Sequence, residues 1–134
     1  MAERYFTAAE ANEALLTVRP LAEKLVAHRQ KLREAQEQRA ELMRRIASNG
    51  GALDARQVAT LDAQLKREGQ ALARTVARIQ ELGVLVKDLD RGLIDFPALR
   101  GDEEVLLCWQ LGEDEVNYWH GLEDGFAGRR PLPL

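Results

Sequence analysis

The side chains best equipped for chemistry lie in the last third of the chain. They are Asp95, Glu113, Glu115, His120 and Arg129. Asp95 sits in "LIDFP", a carboxylate between Ile94 and Phe96, and a carboxylate in apolar company either has a partner or titrates abnormally. His120 belongs to "NYWHGLEDGFAGRR" (117–130), which crowds three aromatic residues, an acidic pair and two arginines into one short stretch. Asp95, Glu113, Glu115, His120 and Arg129, with Trp119 as a wall, are therefore candidate residues for a small-molecule or metal-ion site. The competing reading makes Asp95 a buried partner of Arg129, Arg130 or backbone N–H groups, and His120 a hydrogen-bonded residue at a strand end. An open pocket around Asp95 and His120 would favour a ligand site. Burial with protein partners would disfavour it.

Other chemistries lack their residues. Ser48 is the only serine, and Cys108 the only cysteine, so no intrachain disulfide forms and a reducing, cytoplasmic setting is expected. There is no C-x-x-C or H-x-x-x-H spacing for a structural zinc ion, and "GFAGRR" lacks both the Walker spacing and its Lys-Ser/Thr pair. The sequence thus points to no catalytic residue, no cofactor and no metal-ligand set.

The elements that must position these side chains begin with helices. "TAAE" (7–10) reads as a capping box. Behind it, Ala11, Ala14, Val18, Leu21, Leu25, His28, Leu32, Ala35, Arg39, Leu42 and Ile46 step by three and four, a coiled-coil seam. The spacing predicts a helix over 7–48, about 60 Å long at 1.5 Å per residue, ended by "SNGG". Pro20 predicts a kink near residues 16–20 or a junction of two helices. A second helix, 54–82, opens at Asp54 with Gln57 three residues on and closes at Gly83. A short connection makes the two an antiparallel hairpin. Folded at 49–53, the hairpin would set Glu68 near Ala35 and Arg39 as a register-fixing ion pair, with His28 beside Thr75 and Val76.

After Gly83 the period drops to two. "VLVKD" (84–88), "GLIDFP" (92–97), "VLLCWQL" (105–111) and "VNYWH" (116–120) predict three or four antiparallel strands over 84–120, with 121–134 as a tail. A hairpin around "GEDE" (112–115) would set Trp109 opposite Tyr118 and Leu107 opposite His120. In that register Cys108 and His120 lie on opposite faces and cannot share a metal ion. No aromatic residue falls between Phe6 and Phe96, and the hairpin returns Tyr5 and Phe6 to the sheet. One aromatic mini-core at the hairpin base follows. The expected architecture is a single α+β domain over 1–134, a long α-helical hairpin packed at its base on a small β-meander.

Charge narrows the partners. Residues 1–83 carry a net +3 and residues 84–134 a net −6. The acidic sheet repels phosphate backbones, which argues against nucleic acid. No apolar run is long enough to span a membrane, and the acidic N-terminus is not that of a secretory signal.

Three segments, "YFTAAEANEALL", "LGVLVKDLDRGLIDFPA" and "VLLCWQLGEDEVNYWHGLEDGFAGRRPL", resemble the prokaryotic family catalogued as domain of unknown function 2203. The resemblance covers essentially the whole chain. It implies a small stand-alone cytoplasmic protein and brings no activity, substrate or catalytic residue with it. The thin two-helix core and the apolar strand 105–111 lead to the expectation of a non-catalytic interaction protein that forms a homodimer.

Overall fold

The computed structural model describes residues 2–48 and 55–134. Two helices come first, α1 (Ala8–Ser48) and α2 (Ala55–Glu81). Five strands follow: β1 (Leu85–Asp88), β2 (Leu93–Arg100), β3 (Glu103–Gln110), β4 (Tyr118–Gly121) and β5 (Arg130–Pro131). The strands form one antiparallel sheet in chain order, with a single turn of 3-10 helix, Phe126–Gly128, before the last.

The capping box forms as its residues require. The Glu10 backbone N–H donates to Thr7 Oγ1 at 3.1 Å, and the Thr7 N–H donates to Glu10 Oε1 at 3.0 Å. Pro20 lies inside one continuous helix rather than at a junction of two. The Asp54 cap and the "NGG" stop lie outside the described residues. At the end of α2, Gly83 takes φ 86°, a left-handed terminus, and the following Val84 is buried.

The hairpin seam closes within the chain. Ala35 and Leu42 of α1 are buried, as are Leu61, Leu72, Thr75 and Ile79 of α2. Its polar pairs differ from expectation. Glu68 meets His28 at 2.7 Å, about two turns nearer the sheet than Ala35. Arg39 instead pairs with Asp62 at 2.6 Å. The helices thus align further towards their base than a tight fold at 49–53 would give.

Only the sheet end of the hairpin has a third layer. Leu15, Val18, Ala22 and Leu25 of α1 join Ile94, Phe96 and Ala98 of β2 and Val105, Leu107 and Trp109 of β3 in one core. Phe6 closes it, edge-on to Phe96 at 5.3 Å between centroids, while its N–H donates to the Pro97 carbonyl. The predicted meeting of the N-terminus with the sheet is therefore real. The sheet has five strands because the tail, read as irregular, contributes β5 against β4.

Candidate functional site

The register of β3 against β4 decides which side chains share a face. Cys108 stands opposite Tyr118 and Leu106 opposite His120, one residue away from the alignment expected around "GEDE". A one-residue slip turns every side chain of the strand over. Its cause is long-range. The Val116 N–H donates to Asn12 Oδ1 of α1 at 2.7 Å, and Asn12 Nδ2 donates back to the Val116 carbonyl. Val116 is held by the helix and does not pair with Leu111, so β4 starts at Tyr118. Arg19 grips the same loop through the carbonyls of Glu113 and Asp114.

Two assignments are thereby reversed. Trp119 lies opposite Leu107 and joins the core on the helix-facing side, so it is no wall for a site at His120. Cys108, expected on the far side, joins His120 and Asp95, because Asp95 is its direct neighbour on β2. One donor atom from each of Asp95, Cys108 and His120 lies within 4.8 Å of the other two. All three residues are buried, at 2%, 0% and 3% exposure, so water screens none of them.

The hydrogen bonds of His120 define its protonation. Nδ1 lies 2.8 Å from the Gly121 carbonyl, and a carbonyl only accepts, so Nδ1 carries a proton. Nε2 then faces the Asp95 carboxyl, 3.3 Å from Oδ1 and 3.2 Å from Oδ2. Asp95 is thus paired, though with His120 rather than with Arg129, Arg130 or backbone. Burial pushes its carboxyl above the usual range, while the neighbouring His120 pulls the other way. Burial also pushes the Cys108 thiol up to about 11, helped by the Asp95 carboxyl and opposed by Arg129. At neutral pH this cysteine is a thiol, poorly suited to act as a nucleophile.

A lid closes the face. The β1–β2 turn places the Arg91 guanidinium 4.4 Å from the Phe126 ring centroid, and Arg129 stacks on the same ring at 4.2 Å and on Tyr118 at 3.9 Å. Glu113 clamps Arg129 in a two-pronged ion pair of 3.0 and 2.8 Å. That pair raises the Arg129 guanidinium further above its ordinary value. The tail can turn back here because Gly125 adopts φ 67°, and Gly128 and Gly121 leave room for Asp124. The stretch 117–130 thus supplies β4 and, through the turn at Gly125 and the 3-10 helix Phe126–Gly128, the lid beside it.

Of the candidates, Asp95 and His120 come together, and Glu113 and Arg129 form a second pair on the Cys108 side. Glu115 is exposed on the β3–β4 loop. Cys108 was missed because its partners depend on one residue of register, and that register is set by Asn12, more than a hundred positions away in sequence. Arg91 carried no local signal at all. Among the described residues, no buried side-chain nitrogen or oxygen lacks a partner.

The helical hairpin, the five-stranded meander and its closed Asp–His–Cys cluster define a small α+β protein of one architecture. The chain belongs to the uncharacterised conserved protein family termed domain of unknown function 2203, whose model matches residues 4–132. No curated protein and no solved structure matches it. Among the described residues, no helix is long and apolar enough to cross a membrane.

Proposed function

We propose that this protein is a non-catalytic interaction protein that acts as a homodimer, the two copies meeting on the outer face of the sheet. The observation that carries this reading is where apolar surface remains. The hairpin buries its seam internally, and Asp95 and His120 are buried against each other. Leu16 on α1 and Leu134 are exposed singly, by 80% and 39%, whereas Leu85, Leu99 and Leu122, exposed by 38%, 46% and 55%, all lie on or beside the sheet. Leu85 and Leu122 line a groove of about 460 Å³ with Pro97, Leu106, Lys87 and Glu104. Leu99 stands beside Glu104 in the β2–β3 ladder.

The groove carries both signs of charge on one patch. A two-fold contact is self-complementary by construction, so Lys87 of one copy would meet Glu104 of the other. Apolar residues at the centre with charged residues beside them match the anatomy of a protein interface. A cytoplasmic setting fits the reduced, buried Cys108.

The test is molecular mass by light scattering at micromolar concentration. A dimer is expected for the wild type, a monomer for Lys87→Glu, and a dimer again for Lys87→Glu with Glu104→Lys. A wild-type monomer would end the proposal. So would a dimer that ignores both charge reversals and Leu122→Glu.

A further inference from the structure

The buried cluster sets an imidazole and a carboxyl face to face away from solvent. His120 Nδ1 has its proton committed to the Gly121 carbonyl, which turns Nε2 towards Asp95. Nε2 and the two carboxyl oxygens are 3.2 and 3.3 Å apart. A lone pair facing a carboxylate at that distance needs a positive centre between them. A proton can fill the place, and so can a metal ion.

Burial of Asp95 against His120 argues against an open small-molecule site, but Cys108 beside them makes a closed group of three donors on the scale of a single ion. Cys108 brings Sγ within 4.8 Å of both other donors, from the neighbouring strand and the same face. Bonds of about 2.0 Å to nitrogen or oxygen and 2.3 Å to sulfur, at tetrahedral angles, space donor atoms roughly 3.3–3.6 Å apart. The Asp95–His120 spacing already matches, and a small side-chain rotation of Cys108 would complete the triangle. The Nδ1 donation to a backbone carbonyl is the outer-sphere bond that orients a ligating imidazole. A carboxylate and a thiolate supply two negative charges against a divalent ion, while Arg129 and Glu113 beside them neutralise each other.

We propose that Asp95, Cys108 and His120 form a site for a divalent transition-metal ion, of the class that prefers imidazole and thiolate, such as Zn(II). Three protein ligands leave the fourth position to water, as in metal sites that are not fully closed by protein. The cluster shares no residue with the Lys87–Glu104 groove, although Leu85 and Leu106 of the groove pair with Asp95 and His120, so the metal test uses variants of the cluster alone. Binding expels the proton between Nε2 and the carboxyl together with the thiol proton, so no other reactant is needed.

The experiment uses the full chain, stripped with chelator and titrated with Co(II), then challenged with Zn(II). One equivalent of Co(II) is expected to produce a thiolate-to-metal charge-transfer band in the near ultraviolet and visible bands of four-coordinate intensity, both erased by Zn(II). Cys108→Ser should lose the charge-transfer band. Asp95→Asn should weaken Zn(II) binding by more than the roughly hundredfold that loss of an outer-sphere partner can cost. X-ray absorption of the wild-type zinc form should show one sulfur and the remainder nitrogen and oxygen, a reading that needs no variant to fold. Absence of the charge-transfer band in the wild type, a zinc shell without sulfur, or an unchanged band in Cys108→Ser would each overturn the site.

Discussion

Replacing Asp95 in two ways separates what its shape contributes from what its charge contributes. The residue is 2% exposed and lies 3.2 Å from a His120 that is 3% exposed, so neither group can turn to water when the other is removed. Asp95→Ala leaves Nε2 buried without a partner, a desolvation cost of about 1–3 kcal/mol. It also empties the carboxyl volume between buried Ile94 and Phe96, so we expect a total loss of about 3 kcal/mol, the lower bound for breaking a buried pair. Asp95→Asn behaves differently because His120 already donates from Nδ1. The new amide N–H can donate to the bare Nε2, and the loss should stay below about 1 kcal/mol. Urea unfolding of the metal-free protein, with an unchanged slope, measures both. The Ala variant should also melt about 10 °C lower, at roughly 3–4 °C per kcal/mol for a chain of this size. A double-mutant cycle with His120→Ala should return a coupling of at least about 1 kcal/mol. Equal costs for Asn and Ala would refute the assigned tautomer. A cost under about 0.5 kcal/mol for Ala would refute the buried pair itself.

Two further outcomes follow from the same face. With its thiol raised to about 11, Cys108 is about one part in a thousand thiolate at pH 8. An aromatic disulfide reagent should therefore react with it at least about a hundredfold more slowly in the native protein than in urea, and reaction at the free-thiol rate would contradict its burial. Gly125→Ala should cost about 1–3 kcal/mol by thermal unfolding, since φ 67° with ψ −173° is nearly exclusive to glycine. A Cβ there would meet nothing within 4 Å, so the loss would be backbone strain alone, and a neutral result would mean the lid adopts another conformation.

Most of the architecture was legible because it is written in local chemistry. The Thr7–Glu10 box, the three-four step through Leu25 and Leu42, and Gly83 after the last helical turn each act within a few residues of themselves. The union of Phe6 with Phe96 was legible from topology, since a hairpin must return the chain to its start. What failed depended on contacts between distant residues. His28 captures Glu68 where the helices slide along each other, and nothing local distinguishes that from a pairing with Arg39. Asn12 clamps Val116 and moves β4 by one residue, which reversed the faces of Trp119 and His120 and brought His120 to the side of Cys108. Asp95 and His120 were recognisable singly, as polar groups in apolar company. Their union with Cys108 was not, because it requires that clamp.

The register of β4 against β3 gathers Asp95, Cys108 and His120 on one face. Cross-strand nuclear Overhauser contacts between backbone protons of β3 and β4 test it most directly. Cys108 is expected opposite Tyr118, and Leu106 opposite His120. Contacts that instead set Trp109 opposite Tyr118 and Leu107 opposite His120 would scatter the three donors and dissolve the metal site with them.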